Sequence, residues 1–276
     1  MDGVRVCVPS SSGNIGSGYD TLGIALSVCN TFEMYPAEKE TTLEVVRGLD
    51  PKFQPVCLAM IEAAAGHFFN RARIRPCHLR VRWENRVPIA RGLASSATLR
   101  LAVLEGLNQL LGLDIPSREI VLWGAELENS TDNVAASYYG GLTASGVIDG
   151  ALVYHKINID ERIDFVAVSP VAYVETDKAR TVFSERIKRE DAVFTLNRGI
   201  LLAMAFATRS YDEIGDLLED KLHQPQRQAH ISALHPLFDV IRAAREAGAL
   251  GGYLSGSGST IMALTFDSKE AVAGVM

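Results

Sequence analysis

The chain is poor in the residues that mark several specialised classes. Its 276 residues include only four cysteines, Cys7, Cys29, Cys57 and Cys77, and none are spaced as CxxC. A disulfide framework and a zinc site are therefore not expected. The six histidines, His67, His78, His155, His223, His230 and His235, form neither HxxxH nor HExxH, which removes metalloprotease chemistry. Basic residues do not dominate: 27 Lys and Arg stand against 33 Asp and Glu, a net charge of −6. That balance argues against a general nucleic-acid or anionic-membrane binder. Long apolar runs are absent too. The most apolar stretch, Gly199 to Ala207, stops at Thr208 and Arg209, well short of the ~18 residues of a membrane span. The start, Met-Asp-Gly-Val-Arg5, lacks the apolar core of a secretory leader. A cytoplasmic protein is the expectation these absences leave.

What is present is ordinary globular material, 47% apolar and 22% charged, long enough for one large domain or two small ones. Glycine is the informative residue, because it gathers at 13–23, 92, 140–141 and 251–258. Val4, Val6 and Val8 alternate with other residues and predict a strand. A loop rich in turn formers follows, Pro9-Ser-Ser-Ser-Gly-Asn-Ile-Gly-Ser-Gly-Tyr-Asp20. Apolar spacing predicts helices over 55–70 and 95–112, the second with Leu99, Val103, Leu107 and Leu110 on one face. Leu79, Val81 and Trp83 alternate with His78, Arg80 and Arg82, as in a half-buried strand. Ser117 is placed to cap a helix through Glu128, and a short helix from Asn133 to Tyr139 ends at Gly140-Gly141. Strands are expected near 142–148, 151–158 and 165–168, and helices near 177–184, 190–208, 211–221 and 236–248. A last strand pair, 251–254 and 260–265, flanks a glycine-rich turn. This irregular mixture predicts an α+β fold with a seam near 150–165.

Several segments carry candidate chemistry. Residues 87–98 form a small-residue loop that runs into a helix. Small side chains let an anion approach the backbone, and N–H groups at the helix start favour negative charge. Read alone, the loop is equally a capped helix start, and the GxxxxGK[ST] pattern is absent. The run Gly251 to Ser259 offers a second backbone-rich concavity, or a plain hairpin turn. Asn14 and Asp20 are common turn formers. Glu126, Glu128, Asp132 and Asn133 crowd a helix end, where solvated carboxylates are the default.

Taken together and in this order, the glycine-rich elements resemble the three motifs of the GHMP kinase superfamily. Pro88 to Ala97 is similar to the family's Pro-x-x-x-Gly-Leu-Gly-Ser-Ser-Ala, and Leu254-Ser-Gly-Ser-Gly-Ser-Thr260 to its third motif. Within the superfamily the resemblance is closest to homoserine kinases. Val8 to Asp20 resembles their Val-Pro-Ala-Thr-Ser-Ala-Asn-Leu-Gly-Pro-Gly-Phe-Asp opening, and Glu128-Asn-Ser-Thr-Asp-Asn-Val134 their Glu-Gly-His-Pro-Asp-Asn-Val. Asp191 to Arg198 and Leu222-His-Gln-Pro-Gln-Arg227 also match that pattern, so the likeness spans residues 4 to 266. Three departures stand out: Ala94 where glycine is usual, Ser259 for a usual proline, and Ser130-Thr131 for a His-Pro pair.

The resemblance implies a two-domain fold. Residues 1–155 would form an ATP-binding domain like the second domain of ribosomal protein S5, and 156–276 a ferredoxin-like domain. It implies transfer of the γ-phosphoryl of ATP to the hydroxyl of L-homoserine, with Mg2+, in threonine biosynthesis. Pro88, Arg91, Gly92, Leu93, Ala94, Ser95, Ser96, Ala97 and Thr98 would hold the nucleotide. Ser96 and Glu128 would hold magnesium, with Glu126 as the alternative ligand. Asn133 would hold the attacking hydroxyl, and no general base stands out. Asn14 and Asp20 would meet the ammonium, Arg180 and Arg227 the carboxylate, and Gly256 would line the same pocket. Bidentate pairing suits arginine to a carboxylate. A homodimer is a family-level expectation. Ser130 leaves two alternatives: a GHMP-type kinase for another small hydroxylated acceptor, or a nucleotide-binding paralogue with weak catalysis.

Overall fold

The computed structural model describes residues 3–170, 181–184 and 186–276. The first sheet has six strands. β1 (Val4–Gly13) pairs antiparallel with one edge of the long β2 (Leu22–Ala37). The other edge of β2 is shared: Leu22–Ile24 pair with β5 (Leu142–Ile148), and Thr31–Ala37 with β4 (His78–Glu84). β3 (Thr42–Arg47) lies parallel to β4, and β6 (Ala151–Ile157) closes against β5. A parallel neighbour requires a crossover, and α1 (Gln54–Ala72) supplies it between β3 and β4.

α1, α2 (Ser95–Leu111), α3 (Ser117–Glu128) and α4 (Asp132–Tyr139) pack together beside this sheet. Phe32, Met34, Ile61, Phe68, Val81, Trp83, Leu99, Val103 and Leu107 share its core. α2 is buried on most sides between Ala97 and Leu107. The second sheet runs β7 (Asp164–Val168), β9 (Ile261–Thr265), β8 (Gly251–Leu254), all antiparallel. Among the described residues, β7 is followed by helices α5 (Arg189–Thr208), α6 (Ile214–Leu217), α7 (Gln224–His230), α8 (Leu237–Glu246) and α9 (Lys269–Val275). A second core joins Ile15, Ile24, Leu93 and Leu142 to Leu202, Phe206, Leu218, Tyr253 and Met262. The two sheets are thus locked by apolar contact, which holds the loops between them in place.

The architecture is the expected two-part α+β arrangement, with four local differences. β1 continues through the segment read as loop, to Gly13; a register shift between Pro9 and Ser11 absorbs the proline, which has no N–H to give a ladder. β2 and β3 were not evident, because β2 buries Asn30 among its core positions and exposes Val28. The helix expected over 211–221 is a single turn. Gly215 packs where a Cβ would come within 2.3 Å of Leu250 O. The Asp220 carboxylate then takes the N–H groups of Leu222 and His223, turning the chain out of the helix. Ser117 is the first helical residue of α3, with Pro116 in the cap position and no side-chain cap bond. Residues 177–180 of the helix expected over 177–184 lie outside the described residues.

Candidate active site

One cavity of about 510 Å³ takes its walls from stretches far apart in the chain. Asn14 and Asp20 come from the loop after β1. Phe53, Val56, Cys57 and Met60 come from the start of α1, and Ile89 to Gly92 with Ala94 to Ser96 from the loop into α2. Leu127 to Asn133 join α3 to α4, and Arg227, Gly256 and Ser257 come from the second unit.

Backbone bonding explains why these loops meet. The Gly256 N–H donates to Gly13 O at 3.1 Å, and Asn14 Nδ2 donates to Gly256 O at 2.8 Å. Ser255 Oγ donates to Gly92 O at 2.6 Å, and the Thr260 N–H to Arg91 O at 3.0 Å. Gly92 has φ +75°, and a Cβ there would lie 2.1 Å from Ser255 O and 2.8 Å from Gly258 N. The sequence attributes this glycine to anion approach; the geometry adds a second reason, the close packing of two loops. Gly13 is similarly constrained, since a Cβ would reach within 2.2 Å of the Asp132 carboxylate.

From the loop that opens α2, Arg91, Gly92, Ala94, Ser95 and Ser96 line the cavity. The first N–H groups of α2 have no carbonyl one turn earlier to bind. Leu93, Ala97 and Thr98 do not line the cavity. Leu93 and Ala97 are buried in the two cores. Thr98 Oγ1 donates to Ser95 O at 2.7 Å and accepts from Asn30 Nδ2 at 2.9 Å. Thr98 therefore braces the loop from behind. Pro88 is exposed and outside the lining.

Ser96 and Glu128 come together as expected, with Ser96 Oγ donating to Glu128 Oε2 at 3.0 Å. Arg100 Nη1 donates to the other oxygen at 2.6 Å and to Leu127 O at 2.6 Å. Burial pushes the Glu128 carboxyl above its ordinary range, against the pull of Arg100 and Ser96. Glu126 faces elsewhere, toward His67 Nε2 at 2.8 Å and Arg71 at 3.4 Å.

Ser11 Oγ donates to the backbone oxygen of Asn133 at 2.9 Å, with Asn133 Oδ1 at 3.1 Å. Asn133 also lines the cavity. Asp132 is buried and accepts from the Asn14 N–H at 2.9 Å and from Ser130 Oγ. Burial, with Asp20 nearby, raises its pKa. Ser130 Oγ also approaches Asp20 Oδ1 at 3.3 Å. Arg227 is buried and donates to Gly256 O at 2.7 Å. Arg180 lies outside the described residues. Sequence reasoning missed Arg100 and the apolar wall of Phe53, Val56, Met60 and Trp83. Arg100 was findable as the residue one turn after Ser96, whereas the wall has no local pattern.

This geometry can be set beside known proteins. Residues 59–141 match the GHMP kinases N terminal domain, and residues 202–275 the GHMP kinases C terminal domain. This chain belongs to the GHMP kinase family. A homoserine kinase of Aquifex aeolicus is 32% identical to this GHMP kinase over 270 residues, covering 98% of the chain and 89% of its own length. Another from Carboxydothermus hydrogenoformans is 34% identical over 266 residues, covering 96% and 86%. Among solved structures, homoserine kinase from Cytophaga hutchinsonii superposes with a TM-score of 0.81 at 25% identity, covering 100% of this GHMP kinase and 88% of that chain. The family's usual glycine at position 94 also finds its reason: Ala94 has φ 58°, ψ 31°, the left-handed region that costs an L-residue roughly 1–2 kcal/mol.

Proposed function

We propose that this GHMP kinase is a homoserine kinase, transferring the γ-phosphoryl of ATP to the side-chain hydroxyl of L-homoserine to form O-phospho-L-homoserine for threonine biosynthesis. The observation that carries this reading is one cavity that gathers two chemically different sets of residues. A helix N-terminus with Ser96 and Glu128 is one set, and Asn14, Asp20, Asn133 and Arg227 the other.

Residues 1–155 supply the nucleotide half and 156–276 the arginines and the loop that closes it. The N–H groups opening α2 hold the ATP phosphates, and the wall of Phe53, Val56, Met60 and Trp83 takes the apolar base. The donor set fits Mg2+: a hard hydroxyl oxygen and a buried carboxylate whose desolvation a cation would relieve. Ser96 and Glu128 would hold the ion, which supplies charge neutralisation on phosphate oxygens. Asn133 orients the attacking hydroxyl. Asp20 with Asn14 meets the ammonium, and Arg227 with Arg180 the carboxylate. Asp132 already accepts two hydrogen bonds and serves to hold the first loop. Positioning and charge stabilisation suffice for phosphoryl transfer without covalent help.

The reaction needs no nucleic acid or membrane partner, and no helix among the described residues is long and apolar enough to cross a membrane. We place the enzyme in the cytoplasm as a homodimer. Val193, Leu196, Ile200 and Met204 form an exposed apolar stripe on α5 at helical spacing, which suits a second copy. Assay of ATP-dependent phosphorylation of homoserine, threonine, serine, mevalonate and shikimate tests the acceptor. Homoserine should be preferred; preference for another acceptor, or nucleotide binding without turnover, would replace the reading.

A further inference from the structure

His223 takes no part in the roles above, yet it is fully buried and touches both segments assigned to the acceptor's head group. It sits one helical turn before Arg227. Its Nε2 lies 2.8 Å from the carbonyl oxygen of Gly16. A carbonyl only accepts, so Nε2 carries the proton. Nδ1 is then an acceptor, and Arg227 Nη1 stands 3.2 Å from it. The same Nη1 donates to Gly256 O at 2.7 Å, which pins one arm of the guanidinium from two sides.

The ring is itself held. Tyr19 stacks on it at 5.0 Å between centroids, nearly parallel at 20°. Asp220 fixes the backbone beneath it, accepting the N–H groups of Leu222 and His223 at 2.7 and 2.6 Å and of Gln224 at 3.3 Å. Burial lowers the imidazole pKa, against the pull of Asp220, whose Oδ2 lies 3.5 Å from Nε2. Gly16 and Tyr19 belong to the loop that carries Asn14 and Asp20. The imidazole thus bridges the ammonium-side loop and the carboxylate-side arginine.

We propose that His223 is a positioning residue: in its Nε2–H form it donates to Gly16, accepts from Arg227, and so fixes the distance between the groups that read the two charges of an α-amino acid. The proposal rests on Arg227 meeting the acceptor's carboxylate.

Two substitutions each keep half of the ring's bonding. His223→Gln places an amide nitrogen near Nε2 and loses the acceptor for Arg227. His223→Asn places a carbonyl near Nδ1 and loses the reach to Gly16. Kinetics on the full chain would compare ATP, homoserine, 4-hydroxybutyrate, which lacks the ammonium, and 3-aminopropan-1-ol, which lacks the carboxylate. His223→Gln should raise the homoserine and 4-hydroxybutyrate KM about tenfold, the size of one lost bond to a charged group. ATP and 3-aminopropan-1-ol should be unmoved, and His223→Asn should keep more of the carboxylate preference than His223→Gln. Equal losses for all four compounds, or a silent His223→Gln, overturn the proposal. Arg227→Ala separates the two levels. If it fails to penalise homoserine over 3-aminopropan-1-ol, the arginine's assignment is what fails. If it does penalise homoserine while His223→Gln is silent, only the positioning role falls. Nitrogen-15 NMR of histidine in the native chain needs no variant: a buried ring protonated at Nε2 is expected, and one protonated at Nδ1 refutes the bridge.

Discussion

Glu128→Gln separates charge from shape at the point where the site needs a negative group. The side chain is only 13% exposed and is held by Ser96 at 3.0 Å and Arg100 at 2.6 Å. Glutamine fills the same space and retains an acceptor for one of these donors. Two effects on stability oppose each other. Losing the carboxylate removes a desolvation cost but weakens a partner for Arg100. That arginine keeps Leu127 O at 2.6 Å and is 21% exposed, so its loss stays well below that of a stranded buried charge. A net stability change of no more than about 1–2 kcal/mol is expected. Catalysis should suffer more. In the proposed reaction Glu128 would hold magnesium, and losing a charged metal ligand removes several kcal/mol of charge stabilisation, so kcat should fall by ~10² to 10³, or about 2.7–4 kcal/mol. Coupled ADP release across a Mg2+ titration would read this, beside thermal melts.

The pH profile adds an independent reading. Burial raises the Glu128 pKa, so on folding the protonated form is favoured. The stability this contributes is present below the unfolded pKa and is lost as pH rises through the folded value. In the proposed reaction activity has the opposite need, since the charged form would hold the ion. The acid limb of kcat should therefore lie above the ordinary glutamate range, move down as Mg2+ rises, and vanish in Glu128→Gln. Glu126→Gln is the control. Its carboxylate pairs with His67 and Arg71 on a partly exposed surface and should change little. Unchanged turnover and Mg2+ dependence in Glu128→Gln, with damage in Glu126→Gln, would refute the reasoning.

Three further outcomes follow from the same geometry. Ala94→Gly relieves a left-handed alanine, so stability should rise by about 0.5–1 kcal/mol after glycine's extra chain entropy, with activity retained; a lower melting temperature counts against the strain. Asp20→Asn should raise the KM for homoserine far more than for 4-hydroxybutyrate, and equal effects would remove Asp20 from the ammonium. Ser130→His places a ring donor beside Asp20 and Asp132 and should lower the homoserine KM by about 1–2 kcal/mol in binding, with the ATP KM unchanged; lost activity would show a pocket built around serine.

Much of the candidate site was legible because its chemistry is local. A run of small residues entering a helix, as in 88–98, leaves helical N–H groups without internal partners and accessible to an anion, and that much can be read locally. The alternation of Leu79, Val81 and Trp83 dictates a half-buried strand for the same local reason. The ordered glycine motifs pointed to the family. Tertiary structure alone decided which carboxylate meets Ser96. Glu126 and Glu128 lie two residues apart on one helix, so they point in different directions, and only the packing of α3 against α2 shows that Glu128 faces Ser96. It also decided that Gly92 and Gly13 are needed by neighbouring loops, and that Thr98 faces away from the cavity. His223 is the clearest case. In the sequence it is one histidine among six, with no metal-ligand spacing. Its partner Gly16 lies more than two hundred positions earlier, and only the closing of two sheets on a shared apolar core brings that carbonyl to the ring. Local composition dictates backbone conformation and charge at each segment, whereas the direction in which a side chain points across a cavity is set by packing between segments far apart in the chain.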